Sequence, residues 1–272
     1  MGTRVTVVLL NYKRPDNLKQ VIDSVHKQTV HPQIFLWNNG APFHDSRVTW
    51  QVDSSLNKIC WPRWFMASMA STEYVCSLDD DLSFADNKVL ESAIEYADEN
   101  ARDGIVGPYG VRLMARRTYM KSDHIDLPDT DMRVDIVKGR MMLFRRELLQ
   151  QVPLVVPEVG DEIPIRNDDI VMSGLISRGK PGFHHVPRLF KNRILPLSEK
   201  ECGLVQQAEH WESRNRTKEE FFGRNGVRLW VRLCADRLKR RKGTASPGPD
   251  LVAHTIKTQG QRRVSKPLKT EG

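Results

Sequence analysis

The chain has 272 residues, 39% of them apolar and 28% charged, an ordinary soluble-protein balance with length enough for a full hydrophobic core. No apolar run reaches the ~18–20 residues of a membrane span, and the opening MGTRVTVVLLN lacks the core and cleavage site of a signal peptide, so the expectation is a cytoplasmic chain. The net charge of +8 sits in the tail: residues 237–272 hold ten Lys or Arg against two acids, while residues 1–236 balance at 32 of each, and a neutral body predicts no specific nucleic-acid partner.

Val5 to Leu10 is a continuous β-branched and apolar run, which reads as a strand buried on both faces. Pro15 opens a helix with Leu18, Val21, Ile22 and Val25 on one face. Ile34–Trp37 is a second strand, closed by the turn signal Asn38-Asn39-Gly40. Val48 to Val52 alternates as a third, Cys60 to Met69 has helical spacing, and Tyr74 to Leu78 is another apolar strand. Asp86 to Arg102 is an amphipathic helix, and Ile105-Val106 resumes strand character. Strands and helices alternating at this spacing predict an α/β fold with a mainly parallel, Rossmann-like sheet flanked by helices. Such sheets bind ligands beyond the carboxyl ends of their strands, so chemistry is sought just after each strand.

The second half is less regular. Ile136 to Phe144 reads as a strand leading into a helix around Arg146 to Gln150, Asp168 to Ser177 has helical spacing, and Phe183 to Val186 is a short strand. Val227, Trp230, Val231, Cys234 and Leu238 form an apolar stripe opposite Arg224, Arg228 and Arg232. This amphipathic helix over residues 224–242 suits packing on the domain as well as a peripheral contact with anionic membrane. Residues 243–272 read as a disordered basic tail. The predicted organisation is one domain over 1–242, with a regularly alternating half to about residue 110 and a less regular half beyond it. The four cysteines at 60, 76, 202 and 234 form no CxxC pair and imply neither zinc nor a disulfide framework.

SLDDDLSF is the strongest chemical signal. It sets Asp79, Asp80 and Asp81 at the end of an apolar strand, where mutual repulsion demands a cation. Hard divalent ions suit oxygen ligands, and Mg²⁺ commonly combines one or two carboxylates with substrate phosphates. A second acidic triplet, Asp129-Thr130-Asp131, follows no apolar strand and reads as loop. The pair Asp168-Asp169 opens a helix, where acids favour the N-terminal dipole; Asn167 or Asp168 serves as cap, or one carboxylate faces substrate. Trp61 and Trp64 read as core more than as stacking platforms for a ligand, and His184-His185 as structural more than as an extra metal ligand. The chain has neither a GxGxxG fingerprint nor a P-loop.

The segments VTVVLLNYKRPDNLKQVIDS, IFLWNNG, SLNKICWPRWF, SLDDDLSF and RNDDIVMSGLISR resemble the glycosyltransferase domain of the exostosin family. The resemblance covers roughly residues 4–235 and implies a GT-A fold acting on nucleotide sugars. It implies that Asn11, Tyr12 and Arg14 border the nucleotide, that Asn38 or Asn39 lies near base and ribose, and that Asn57 and Arg63 lie near the phosphates. Asp79 and Asp80 would contact ribose and sugar, and Asp81, with Asp79, would hold Mn²⁺ or Mg²⁺. Asp169, beside Asp168, matches the acid next to the reacting sugar, and Arg216 or its neighbour Arg214 matches a late basic residue near the diphosphate. The implied reaction is metal-dependent transfer from a nucleotide diphosphate sugar, UDP by resemblance, to a glycan hydroxyl, with retention favoured. Two other classes compete: nucleotidyl transfer at a paired-acid metal site, and nucleic-acid or membrane binding through the basic tail.

Overall fold

The computed structural model describes residues 3–152, 166–198 and 209–223; the amphipathic segment 224–242 and the basic tail lie outside them. The first half runs β1 (Val5–Asn11), α1 (Pro15–His26), β2 (Gln33–Asn39), β3 (Trp50–Ser54), α2 (Pro62–Ser68), β4 (Tyr74–Leu78), β5 (Leu82–Phe84) and α3 (Val89–Asn100). It continues with β6 (Tyr109–Arg112), β7 (Asp123–Asp126), β8 (Met132–Val134), β9 (Ile136–Val137), β10 (Met141–Arg145), a 3₁₀ turn at Arg146–Gln151, α4 (Asp168–Ser177), β11 (His184–Val186), β12 (Ile194–Pro196) and α5 (His210–Phe222).

The central sheet has the order β10-β4-β1-β2-β3. β4, β1, β2 and β3 are parallel, and β10 closes one edge antiparallel to β4. Alternation along β1 splits the core in two. Val5, Val7 and Leu9 pack with α1 and α3 on one face, while Val8 joins Trp64 of α2 and Val171 of α4 on the other. Helices on both faces explain why these strands read as continuous apolar runs. No helix among the described residues is long and apolar enough to cross a membrane.

The strand order also decides where a ligand goes. From β1 the chain moves outward through β2 and β3, then returns to place β4 on the other side of β1. The direction of winding reverses between β1 and β4, and such a switch point opens a crevice at the strands' carboxyl ends. Arg14 follows β1 and Asp79 follows β4.

Four segments depart from the sequence reading. Asn38 and Asn39 complete β2 instead of turning, because their side-chain amides find partners in Asp53 of β3 and Ile59 in the loop after it. The region around Asp129 contains two short strands, β7 and β8, paired through β6 and β11. The strand expected across Ile136 to Phe144 is broken at Gly139 into β9 and β10, and Ile105-Val106 supplies only isolated bridges.

Candidate active site

A cleft of about 580 Å³ opens at the switch point, within the range of small-molecule sites. It draws Tyr12 and Arg14 from the turn after β1, Asn39 from the end of β2, Asn57 from the loop after β3, and Arg63 from α2. Asp79, Asp80 and Asp81 line it from the turn after β4, Arg140 from the β9–β10 turn, Asp168 and Asp169 from the start of α4, and Arg214 from α5.

Guanidinium ions answer the repulsion among these acids. Arg63 Nη2 lies 2.8 Å from Asp79, and Arg14 Nη2 lies 3.0 Å from Asp80. Asp81 is held more loosely, 3.3 Å from Arg140 Nη2 and 3.7 Å from Arg14 Nη1. Burial nevertheless pushes Asp80 up to about 7, against the pull of Arg14 and with help from Asp79 and Asp81. Burial likewise raises Asp79 despite Arg63. The Cys60 thiol, on the same wall, is also raised by burial and stays protonated, which removes it as a nucleophile.

Arg63 is the central clamp. Besides Asp79 it reaches Asp168 at 3.4 Å, and it donates to Ser77 Oγ at 3.0 Å, the Gly139 carbonyl at 2.8 Å and the Cys60 carbonyl at 3.2 Å. With its side chain only 4% exposed, it ties α2, β4, the β9–β10 turn and α4 together. Trp64, its neighbour, is core as expected, yet its Nε1 donates to Asp168 at 2.8 Å.

Asp169 accepts from Arg214 Nη2 at 2.7 Å, from the Gly139 amide at 3.2 Å and, through its other oxygen, from the Ile170 amide at 2.9 Å. Arg214 also donates to the Tyr119 hydroxyl at 2.6 Å. The α4–α5 contact sets this geometry. Gly174 permits it, since a Cβ there would meet Phe221 Cβ at 2.7 Å. The Asn167 amide spans to Ser213 and Thr217 at 2.7 and 3.0 Å. Neither Asn167 nor Asp168 caps α4 with its side chain; both are engaged in tertiary bonds instead.

Not every expected residue reaches the cleft. Asn11 and Asn38 sit behind it: Asn11 donates to Asn38 at 2.8 Å, and Asn38 donates to Asp53 at 2.6 Å. Asn39 serves both purposes, lining the cleft while its amide holds Trp37, Lys58 and Ile59. Arg216 is exposed and points away, because two residues along a helix is more than half a turn; Arg214 occupies the position instead. Asp129 pairs with Lys191, and Asp131 accepts the Arg188 amide at 2.9 Å, both away from the cleft. His184 is locked between the Ile105 amide and the Ser173 carbonyl, and burial lowers it to about 4. Sequence reading missed Tyr119, Gly139 and Arg140, which come from short, weakly patterned elements without a recognisable spacing.

Burial raises Asp168 to about 6, opposed by Arg63 and reinforced by Asp169 and Asp79. A carboxylate raised above its ordinary 3.8 favours the folded state when protonated. That contribution is complete below about pH 4 and is lost as pH rises through about 6. Unfolding titrations of wild type and Asp168→Asn should therefore diverge across this window, with the variant gaining about 3 kcal/mol relative to wild type by pH 8. A difference independent of pH would show that Arg63 and Trp64 fully offset the burial.

No curated protein matches the chain. Residues 63–161, which run from Arg63 through the three aspartates and Arg140, match the family model described as Glycosyl transferase family 2. That match, over the segment building the cleft floor of an α/β fold consistent with GT-A, is to residues 63–161 alone and supports a glycosyltransferase.

Proposed function

We propose that the cleft transfers a sugar from a nucleotide diphosphate, with UDP as the nucleotide, to a glycan hydroxyl. The observation that carries this reading is Arg14. Its Nε and Nη1 are buried without a hydrogen-bond partner among the described residues, at the mouth of a switch-point crevice. Buried guanidinium donors left open call for an anion, and a diphosphate supplies one. In this reading Tyr12, Asn39 and Asn57 border the nucleoside, Arg14 and Arg140 take the phosphates, and Asp80 orients ribose and sugar. Asn11 and Asn38 shape the wall from behind. Arg63 acts by holding Asp79 and Asp168 in place. The division into a nucleotide half to about residue 110 and an acceptor half beyond it belongs to the same reading.

Among the described residues no three His, Cys, Asp or Glu side chains converge as a ligand cluster. A divalent ion that shares substrate phosphates needs only one or two carboxylates. Asp81 fits, since its oxygens are the most loosely held of the three; Asp79 is the second ligand. Bound Mn²⁺ or Mg²⁺ supplies Lewis-acid neutralisation of the departing diphosphate.

Three N–H donors fix Asp169 in place, which suits stabilisation of positive charge at the anomeric carbon more than capture of a proton. Retention is the corresponding outcome, and it is also what the exostosin resemblance implies. Turnover across a nucleotide-sugar panel, with Mn²⁺ and with chelator, tests the whole reading. One donor should release its nucleoside diphosphate only with metal, and Asp81→Ala should abolish that release. Metal-independent turnover or normal activity in Asp81→Ala would remove the metal assignment, and release of pyrophosphate would replace sugar transfer with nucleotidyl transfer.

A further inference from the structure

We propose that the loop of residues 112–122 docks this protein on an anionic lipid surface, so that the cleft opens toward an acceptor carried in that surface. The acceptor clause rests on the transferase reading; the docking does not. The loop, RLMARRTYMKS, contains no acid. Arg116, Arg117 and Lys121 are exposed and make no ion pair among the described residues. Met114 and Met120 are 50% and 53% exposed, and Trp211 of α5 is 37% exposed.

Scattered exposed apolar residues are ordinary, so their grouping decides the matter. Six large hydrophobics are exposed among the described residues; two of them, Met114 and Met120, lie in this one loop with Tyr119, and a third, Trp211, packs beside Tyr119. Tyr119 is buried beneath the loop, and its ring lies 6.4 Å from that of Trp211. Its amide donates to Asn215 Oδ1 at 3.2 Å, and Lys218 Nζ donates to the Arg117 carbonyl at 2.8 Å. The loop is therefore held from below by α5, with its cationic and apolar side chains turned outward. Tyr119 and Trp211 also line the cleft, so the patch borders the cleft's acceptor side.

Charge complementarity points to an anionic partner, and the methionines choose among anions. A hydrated polyanion has no use for half-exposed thioether side chains. A lipid interface takes both: basic residues meet headgroup charge, and apolar side chains enter the acyl boundary.

Co-sedimentation of the full chain with vesicles tests this, comparing phosphatidylcholine alone with phosphatidylcholine containing phosphatidylglycerol. Binding should require the anionic lipid and weaken with salt. Each basic side chain near such a surface contributes about fivefold, so Arg116→Ala/Arg117→Ala/Lys121→Ala should weaken binding on the order of 100-fold. Met114→Ser/Met120→Ser should weaken it about fivefold or more without changing the salt dependence. Both variants alter exposed side chains outside the catalytic machinery, and both should hydrolyse soluble donor at the wild-type rate. Equal binding to neutral vesicles, wild-type binding by either variant, or competition by a soluble sulfated polysaccharide that the methionine variant binds normally would each overturn the proposal. Vesicle binding without any turnover would refute the transferase reading and leave the docking surface standing.

Discussion

Arg63→Met should destabilise the fold by about 3 kcal/mol, near the lower end of the cost of breaking a buried ion pair, and lower the melting temperature on the order of 10 °C for a domain of this size. Methionine fills much of the same volume but leaves two carboxylates without their cation. Asp79, 28% exposed at its side chain, can rehydrate. Asp168, 5% exposed, cannot, and loses the charge that opposes its burial. The variant also strands the Gly139 and Cys60 carbonyls and the Ser77 hydroxyl. Arg63→Lys should fall between the two, since an ammonium keeps the charge but not the planar fork that reaches several acceptors at once. Thermal unfolding of the three proteins decides the matter; a loss below about 1 kcal/mol in Arg63→Met would mean that the clamp contributes little.

Asp169→Asn should lower kcat by roughly 10²–10³ while KM for the donor changes little, the pattern of an interaction made in the transition state. The amide matches the carboxylate in shape but keeps one oxygen, which can serve the Gly139 or the Ile170 amide and not both, since these bond to different carboxylate oxygens. It removes the negative charge that faces Arg214 and, in the proposed reading, the reacting sugar. Arg214, with its side chain 8% exposed, then retains only the Tyr119 hydroxyl among its charge-directed partners, so a melting measurement must accompany the kinetics. A folded variant with wild-type kcat would remove Asp169 from the chemistry. The anomeric configuration of the wild-type product, read by NMR, separates retention from inversion: an inverted product would reassign Asp169 as a general base.

Most of the strand-end wall of the cleft is legible in the sequence. Continuous apolar runs at Val5 and Tyr74 announced buried parallel strands, because helices cover both faces and neither face needs polar residues. Three adjacent acids at the end of such a run, and an arginine just after the first strand, marked the crevice, since parallel sheets place their ligands there. Asp168-Asp169 at a helix start was visible for a related reason: a sharp change from polar to periodic apolar residues betrays the helix boundary.

What the sequence could not convey is which cation meets which acid. The need for positive charge around the three aspartates followed from Coulomb repulsion alone, and a divalent ion was the natural candidate. The fold brings Arg14, Arg63 and Arg140 to them from three separate elements. The choice of Arg214 over Arg216 required knowing how α5 is rotated, which Gly174, Phe221 and Asn167 settle across the α4–α5 contact. Asn38 and Asn39 carried a turn signature, but cross-strand amide bonds kept them in the sheet. Periodicity and local chemistry therefore determined the α/β class, the strand ends and the acids. Pairing between residues 16 to 104 positions apart, as in Trp64 with Asp168 and Arg63 with Asp79, depends on how separate elements pack and belongs to the tertiary structure alone.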